Sequence, residues 1–328
     1  MSLYYPPTPR PGPRRALPAR FRRPRLLIIG CGDTGLRIAR SLHDRLRGRI
    51  GLVGATRDDS RRQALRALGA VPLAVDLDAR ASVRRLQGLA RWVIDLAPPP
   101  SSGKGDPRSR TLIARLTRPP RARRDVHRKL PPPRWIYVST TGVYGDAGGA
   151  RFDETRPPSP ETPRGVRRLA AERLWRRAAR RHGARLSILR APGLYATDRL
   201  PRDRLLRGVP ALTPEDDVFT NHIHVDDLAG LCQQALWRGR ANRVYHAVDD
   251  NELKMGEYFD RVADALGLPR PPRLSRERIA EVVSPAHLSF MRESRRLSNR
   301  RLAAELRYRL RFPTLDDTLR DVRHHPAR

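Results

Sequence analysis

Short apolar runs alternate with amphipathic stretches along the chain from Arg25 to about Arg190. The first run, Leu26 to Ile29, is uninterrupted, as a strand buried on both faces requires. The stretch after it repeats apolar residues at helical spacing. The pattern predicts strands over 26–29, 50–55, 71–75, 92–96, 135–139, 186–189, 219–223 and 244–248, and helices over 35–46, 61–68, 81–89, 163–182, 225–237 and 255–266.

Strands separated by helices are joined by right-handed crossovers, which produce a parallel sheet. We therefore predict an α/β fold with a Rossmann-type, doubly wound parallel sheet over 25–190. Residues 191–328 are expected to form a smaller, mixed C-terminal substrate lobe, interleaved with late strands of the sheet. Residues 1–24 are rich in Pro and Arg and poor in apolar side chains. Such a segment cannot offset its ordering entropy, so we expect a disordered tail or an extension upstream of the true start.

The turn between the first strand and the first helix reads Gly30-Cys31-Gly32-Asp33-Thr34-Gly35. In this context the first glycine makes the tight turn, the second admits the backbone to a pyrophosphate, and the third allows close packing of the helix. The helix N-terminus adds unpaired N–H groups and the positive end of the dipole. We predict that residues 30–35 hold the pyrophosphate of a nicotinamide cofactor.

The segment after the second strand bears on which nicotinamide cofactor binds. An acidic side chain at this point bonds the ribose hydroxyls of NAD, whereas an arginine binds the 2′-phosphate of NADP. The chain has Thr56 and Arg57 here, with Arg61 and Arg62 close behind. This favours NADP, while Asp58 keeps NAD open as the alternative.

The net charge of +33 comes almost entirely from arginine, since only Lys104, Lys129 and Lys254 are lysines. Such a charge attracts polyanions. The arginines are nevertheless scattered through every predicted helix, and no nucleic-acid-binding motif accompanies them. We interpret them as a solvated surface and expect no specific nucleic acid partner.

The two cysteines, Cys31 and Cys232, do not form a secreted-type disulfide framework. No apolar run is long enough for a membrane span, and no secretory signal is recognisable. We therefore expect a cytoplasmic protein that acts without a membrane and binds a small-molecule substrate.

Several motifs resemble those of the extended short-chain dehydrogenase/reductases, also called the NAD-dependent epimerase/dehydratase family. Among its branches, the atypical YeeZ-like one is most similar to this chain. The resemblance covers about 25–315, and its motifs are the glycine turn, Val75-Asp76-Leu77, Ala97-Pro98-Pro99, Val138-Ser139-Thr140-Thr141-Gly142-Val143-Tyr144-Gly145, Pro192-Gly193-Leu194-Tyr195 and Asn221-His222-Ile223-His224-Val225-Asp226-Asp227-Leu228.

The resemblance implies further site residues. Thr140 falls on the catalytic serine/threonine of the family, whose hydroxyl donates to a substrate oxygen. The alternative from the residues alone is that Thr140 and Thr141 are strand-end hydroxyls that satisfy backbone groups. The family often forms dimers, so a homodimer stays open. The implied cofactor contacts are Asp76 and Leu77 to the adenine, Ala97 and Pro98 to the nucleoside, and Pro192 and Gly193 to the nicotinamide amide.

The chain departs from the family at its general acid/base. The family has a tyrosine four residues before a lysine, and the motif places Arg164 and Arg168 at these positions. Arginine stays protonated and cannot shuttle a proton as a phenol does. Arg168 is still expected to clamp the nicotinamide ribose as a positive charge.

Tyr144, Tyr195 and the pair His222 and His224 are the candidate substitutes for the missing tyrosine. Each has a simpler interpretation. The tyrosines belong to motifs in which an aromatic ring usually packs beside the cofactor. The two histidines with Asp226 could suggest a metal site, but acidic residues in the first turn of a helix explain the pattern better, so we predict no metal and treat the histidines as substrate contacts.

Three functions remain open. The leading one is an NADP-binding oxidoreductase or epimerase/dehydratase-like enzyme that acts on a small carbonyl, hydroxyl or sugar-nucleotide-like substrate, with Thr140 and Arg168 at its centre. The second is a cofactor-binding module without turnover, which regulates a partner or senses redox state. The third is a polyanion-binding protein.

Overall fold

The computed structural model describes residues 24–46, 49–118 and 132–324. The predicted N-terminal tail falls outside these residues except for Pro24. No helix within the described ranges is both long and apolar enough to cross a bilayer.

The described residues form thirteen strands, of which seven build one sheet. The strands are β1 (Arg25–Ile29), β2 (Gly51–Thr56), β3 (Val71–Ala74), β4 (Trp92–Asp95), β5 (Arg134–Thr140), β6 (Arg151–Phe152), β7 (Arg185–Ala191), β8 (Gly193–Tyr195), β9 (Ala211–Leu212), β10 (His222–His224), β11 (Arg243–His246), β12 (Arg273–Leu274) and β13 (Arg296–Leu297).

Twelve α-helices lie in the same described residues. They are α1 (Asp33–Leu46), α2 (Asp59–Ala67), α3 (Arg80–Val83), α4 (Pro107–Leu116), α5 (Pro163–His182), α6 (Arg202–Leu206), α7 (Val225–Arg238), α8 (Met255–Leu266), α9 (Arg276–Val282), α10 (Pro285–Phe290), α11 (Arg300–Ala304) and α12 (Leu315–His324).

The large sheet has the order β3-β2-β1-β4-β5-β7-β11, and every neighbouring pair in it is parallel. The chain runs outward from β1 in both directions, so the order reverses between β1 and β4. Ligands of doubly wound sheets bind at the carboxyl ends of the strands at this switch point. The α/β Rossmann-type fold predicted from the sequence is therefore confirmed.

The two faces of the sheet each bury an apolar layer. Alternate residues of a strand point to opposite faces. Leu26 and Ile28 accordingly join the core beneath α1 and α7, whereas Leu27 and Ile29 join the core beneath α4 and α5. This double burial explains why β1 is an uninterrupted apolar run.

The smaller lobe consists of short helices and strands that pack around apolar clusters of their own. Its two-residue and three-residue strands pair as β8 with β10, β9 with β12, and β6 with β13. The lobe and the large sheet are interleaved along the chain. Helix α7 and strand β11 lie after position 190, yet β11 belongs to the large sheet and α7 to the layer that covers it.

Two predicted elements differ from the structure. The strand predicted over 219–223 is only His222–His224. The backbone just before it bonds to two other segments of the chain. Phe219 N–H donates to Ser294 Oγ, Thr220 N–H donates to the Leu253 carbonyl, and the Val218 carbonyl accepts from the N–H of Met255. The helix predicted over 81–89 is one turn of α-helix, α3, followed by a 3₁₀ turn at Arg84–Leu86.

Candidate functional site

The glycine turn has the geometry of a backbone-lined cradle at the end of β1. Gly30 has a φ of +69°, in the left-handed region, and a Cβ on it would lie 2.7 Å from the backbone nitrogen of Ala97. A Cβ on Gly35 would lie 2.9 Å from Cys31 Sγ, so glycine lets α1 pack closely against the turn. Burial raises the pKa of the Cys31 thiol to about 12, so the side chain acts as packing and not as a nucleophile.

Three cavities follow one another along the carboxyl ends of the strands in the described part of the chain. An edge cavity of about 390 Å³ lies beside β2 and β3. A central cavity of about 650 Å³ extends from the glycine turn to the end of β5, and a lobe cavity of about 480 Å³ continues between β5 and the smaller lobe. Gly30, Gly32 and Arg61 border both the edge and central cavities, whereas Thr140, Arg164 and Pro192 border both the central and lobe cavities.

The edge cavity collects the residues predicted to contact adenosine, namely Thr56, Arg57, Asp76, Leu77, Ala97 and Pro98. The Arg57 side chain is 70% exposed, and its Nη1 forms a long ion pair with Asp76 Oδ1 at 3.8 Å. The Asp58 carboxylate, by contrast, is engaged at the start of α2, where it accepts from Ser60 Oγ at 2.6 Å and from Arg61 N–H at 3.1 Å. The bond from Ser60 also holds the pKa of Asp58 below its usual value.

Arg61 takes a position that the sequence did not indicate. Its Nη1 lies 2.7 Å from where a Cβ of Gly32 would be, so the guanidinium stands in front of the glycine turn. The sequence interpretation treated Arg61 as a reserve ligand for a 2′-phosphate. The structure brings its positive charge to the place where the fold receives a diphosphate.

The central cavity contains the predicted residues Asp33, Thr34, Thr140, Arg168 and Pro192. Thr140 Oγ1 accepts from the N–H of Gly142 at 3.2 Å, which leaves the hydroxyl proton available to another acceptor. Arg168 Nη1 donates to the Val138 carbonyl at 2.9 Å and to the Ala97 carbonyl at 3.2 Å. The Arg168 guanidinium therefore links the backbone just after β4 to the backbone near the end of β5, while the side chain still borders the cavity.

The carboxyl of Asp95 lies below Arg168, wholly inside the protein. Burial raises its pKa from 3.8 to about 7, although the N–H of Ala97 donates to it at 3.0 Å and Arg168 lies nearby. Asp106 adds a second negative charge on this side. Sequence analysis missed Asp95 because it is the last residue of an apolar strand and belongs to no motif.

Asp95→Asn is expected to stabilise the protein selectively at high pH. Below the unfolded pKa of about 4 both states carry the proton and the carboxyl has no effect on stability. As the pH rises towards 7, the unfolded chain ionises freely while the folded chain resists, so folding becomes less favourable. Urea unfolding should show a gain of about 2–4 kcal/mol for the variant near pH 8, the upper value corresponding to the full rise of the pKa from 3.8 to about 7, and almost none near pH 4. Equal stability of both proteins near pH 8 would contradict this burial effect.

The lobe cavity brings Thr140, Thr141 and Gly193 together with Arg164 and His222. Arg164 stacks on Phe290, with its Cζ 4.4 Å from the ring centroid. Burial lowers the pKa of His222 to about 4, so the ring is neutral at physiological pH. Gly165 allows this assembly, since a Cβ on it would lie 2.5 Å from the Gly142 carbonyl oxygen, and α5 therefore approaches the turn after β5 closely.

Glu293 and Arg295 also line the lobe cavity, and sequence analysis missed both. Arg295 Nη1 donates to Glu293 Oε2 and to the Gly145 carbonyl, each at 2.7 Å. Asn221 holds their segment in place, because its side-chain amide bonds the Arg295 carbonyl at 2.9 Å and the Leu297 N–H at 3.1 Å. The Asn221 motif was the one sequence signal near this part of the site.

The structure corrects the predictions for Tyr144 and Tyr195. Both rings are at most 1% exposed, and neither borders the three cavities. The Tyr144 hydroxyl lies 2.5 Å from His246 Nε2, and the Tyr195 hydroxyl donates to Asp249 Oδ2 at 3.1 Å. Their phenols are used inside the core and cannot reach a ligand in the cleft.

His224 is likewise not a substrate contact. It is 3% exposed, its Nδ1 accepts from the N–H of Asp226 at 3.2 Å, and its ring stacks on Phe312 at 3.7 Å. The residue thus caps α7, which agrees with the helix-start interpretation of this motif. The His222 ring stacks instead on Tyr258, at 4.1 Å.

A family model describes this arrangement of motifs. The model of the NAD dependent epimerase/dehydratase family matches residues 27–247. The chain belongs to this family. The resemblance inferred from the sequence motifs is thus confirmed, and the matched range includes residues of all seven strands of the large sheet.

Individual relatives agree with the family assignment. The chain is 30% identical over 139 residues to protein YeeZ of Escherichia coli, a match that covers 42% of this chain and 48% of that protein. The chain thus spans about half the length of the curated relatives it matches.

Two solved structures share the fold. One is a functionally unknown conserved protein from Silicibacter pomeroyi, with a TM-score of 0.72, 28% identity and coverage of 93% of this chain and 99% of that one. The other is UDP-glucuronic acid 4-epimerase from Bacillus cereus in complex with UDP-glucuronic acid and NAD, with a TM-score of 0.69, 18% identity and coverage of 92% and 100%.

Proposed function

We propose that the chain is an NADP-dependent oxidoreductase-type enzyme that acts on a small molecule in the cytoplasm. One observation carries the proposal: the central and lobe cavities meet at Thr140, Arg164 and Pro192. A dinucleotide with its diphosphate at the glycine turn has room for its adenosine in the edge cavity and its nicotinamide in the central cavity. Its reactive end then faces the lobe cavity, where a substrate binds.

The described residues fit the dinucleotide. The cradle at Gly30 and Gly32 lacks the Cβ atoms that would fill it, and Arg61 supplies a positive charge beside it. Arg57 and Thr56 are positioned to bind a 2′-phosphate. The Asp58 carboxylate caps α2 and is therefore a poor partner for ribose hydroxyls. The bound dinucleotide supplies or accepts a hydride.

Arg57→Met is expected to reduce the preference for NADPH over NADH. A charge-assisted bond to the 2′-phosphate contributes about 1.5–3 kcal/mol, and the exposure of Arg57 favours the lower limit, so the NADPH dissociation constant should rise about tenfold while that of NADH stays constant. Arg61→Met is the matched variant and should weaken both cofactors alike, because the diphosphate is common to them. Fluorescence titration of the natural protein and both variants with NADPH and NADH measures all six affinities. An unchanged preference in Arg57→Met would remove the argument for NADP.

Two side chains divide the proton chemistry in this proposal. The Thr140 hydroxyl donates to the substrate oxygen, which carries more negative charge as the reaction proceeds. Glu293 takes the proton that a substrate hydroxyl releases, since it is the one carboxylate among the described residues that border the lobe cavity. A methyl group on Gly142 would lie 3.6 Å from Thr140 Oγ1 and 3.9 Å from Glu293 Oε2, so both groups flank the same glycine.

Thr140→Val tests the proposed function. In a panel of small carbonyl and hydroxyl compounds followed by NADPH absorbance, the variant should lose about 100-fold in kcat, because it lacks the donor to the developing charge. Thr140→Ser should recover most of the rate, and both variants should bind NADPH as the natural protein does. A full rate in Thr140→Val would reassign the oxygen donor.

The second candidate is a cofactor-binding module without turnover. Arg164 favours it, because this residue stands where the family has its tyrosine and cannot release a proton at physiological pH. The two candidates differ in one readout. A protein that binds NADPH tightly and turns over no compound of the panel supports the module, and Thr140→Val would then leave every measured property unchanged.

A further inference from the structure

Unsatisfied polar atoms concentrate on the lobe cavity. Arg204 Nε, His222 Nδ1, Glu293 Oε1 and Arg295 Nε are buried and have no hydrogen-bond partner among the described residues, and all four side chains border this cavity. A buried polar atom without a partner costs about 1–3 kcal/mol. Such atoms in a native structure call for an explanation, and a bound ligand, an ion or an ordered water supplies one.

The chemistry of these atoms restricts the ligand. Both arginine Nε atoms are donors and require an acceptor, whereas Glu293 Oε1 is a carboxylate oxygen and requires a donor. Glu293 and Arg295 are each 9% exposed, so their charges act in a poorly solvated environment. A ligand that carries both an oxyanion and a hydroxyl group meets these demands together.

Arg164 adds a third positive charge at the junction with the central cavity. Its guanidinium stacks on Phe290, and its electrostatic neighbours are Glu293, Arg168 and Arg295. No hydrogen bond to another described residue occupies it. Three arginines against one carboxylate leave the lobe cavity positive, and a planar guanidinium matches the geometry of a carboxylate or phosphate.

We propose that the lobe cavity takes a small hydroxy acid or its oxo form, whose oxyanion Arg164 binds while its hydroxyl faces Glu293. This inference rests on the proposed function, because it defines the substrate class of the same enzyme. It also explains why arginine stands at position 164: the residue binds the acid instead of moving a proton. The cavity volume of about 480 Å³ suits a small ligand.

The test compares three probes on the full chain by isothermal titration calorimetry at fixed salt. Glycerate carries a carboxylate, glycerol 3-phosphate carries a phosphate, and glycerol carries neither. We expect one of the two acids to bind and glycerol not to bind, and the better acid identifies the oxyanion. Arg164→Met should weaken that acid about 10- to 100-fold, and Arg164→Lys should weaken it less because the charge remains.

Arg177→Met is the matched control, since Arg177 lies exposed on α5 outside the three cavities. It should leave the affinity for the acid unchanged. Equal losses in Arg164→Met and Arg177→Met would mean that the acids bind to general surface charge, and this result overturns the inference. Failure of both acids to bind, or equal binding of glycerol, overturns it as well.

A separate titration distinguishes this inference from the proposed function. NADPH affinity is measured on each variant without acid, and acid affinity is measured with and without NADPH. If the natural protein does not bind NADPH, the proposed function is wrong, but the acid titration still tests the lobe cavity. Normal NADPH binding without any acid binding defeats the hydroxy-acid inference alone.

Discussion

Glu172→Met is expected to lower the free energy of unfolding by about 3–5 kcal/mol. Glu172 on α5 and Arg190 on β7 are 1% and 3% exposed and form two parallel bonds, Arg190 Nε to Oε1 at 3.0 Å and Nη2 to Oε2 at 2.7 Å. Removal of the carboxylate leaves a buried arginine with an uncompensated charge. Urea unfolding followed by circular dichroism measures the loss.

Two further variants separate the buried charge from lost packing. The double variant Glu172→Met/Arg190→Met removes both charges and should recover a large part of the stability, because an apolar pair of similar volume often replaces a buried ion pair well. Arg270→Met breaks the exposed pair with Asp264, whose side chains are 62% and 44% exposed, and should cost less than about 1 kcal/mol. A double variant as unstable as Glu172→Met would attribute the effect to packing.

The large sheet could be predicted from the local pattern of apolar and polar residues. Strand β1 is a continuous apolar run after Arg25, and β2, β4, β5 and β7 are mostly apolar and buried along most of their length. The glycine turn is recognisable from its own residues and from the strand and helix on either side of it. Helix α5 was predicted over its whole length, because Pro163 begins it and Gly183, with a φ of +61°, ends it.

The acidic part of the candidate site could not be predicted in this way. Glu293 accepts a bond from Arg295, and Arg295 in turn donates to the carbonyl of Gly145, 150 positions earlier in the chain. The segment around it consists of a two-residue strand and short turns without a hydrophobic period. Only the folded chain brings this carboxylate beside Thr140.

Part of the arginine content also has a structural use that composition does not indicate. Arg134 donates to the carbonyls of Leu236 and Trp237, and Arg185 donates to that of Gly239. These carbonyls lie at the C-terminal end of α7, where a helix lacks internal donors and attracts positive charge. The sequence interpretation of a solvated arginine surface therefore does not apply to these side chains, nor to the buried Arg190.

Glu293→Gln is expected to lower kcat by about 10²- to 10⁴-fold, the usual contribution of a general acid or base. The amide keeps the size of the side chain and a bond to Arg295 but cannot accept a proton. NADPH affinity should stay constant, because Glu293 does not border the central or edge cavity. Glu277→Gln, an exposed position on α9, is the control and should keep the full rate.

Chemical rescue decides whether Glu293 moves a proton or only supports the cavity. In Glu293→Ala the space of the side chain is open, and added formate should restore part of kcat, since a small carboxylate can take the lost position between Arg295 and the substrate. A structural role predicts no rescue, together with a fall in melting temperature and a higher KM. A Glu293→Gln enzyme within about threefold of the natural rate would instead assign proton transfer to solvent, because the two phenols near the strand ends, Tyr144 and Tyr195, are already bonded inside the core.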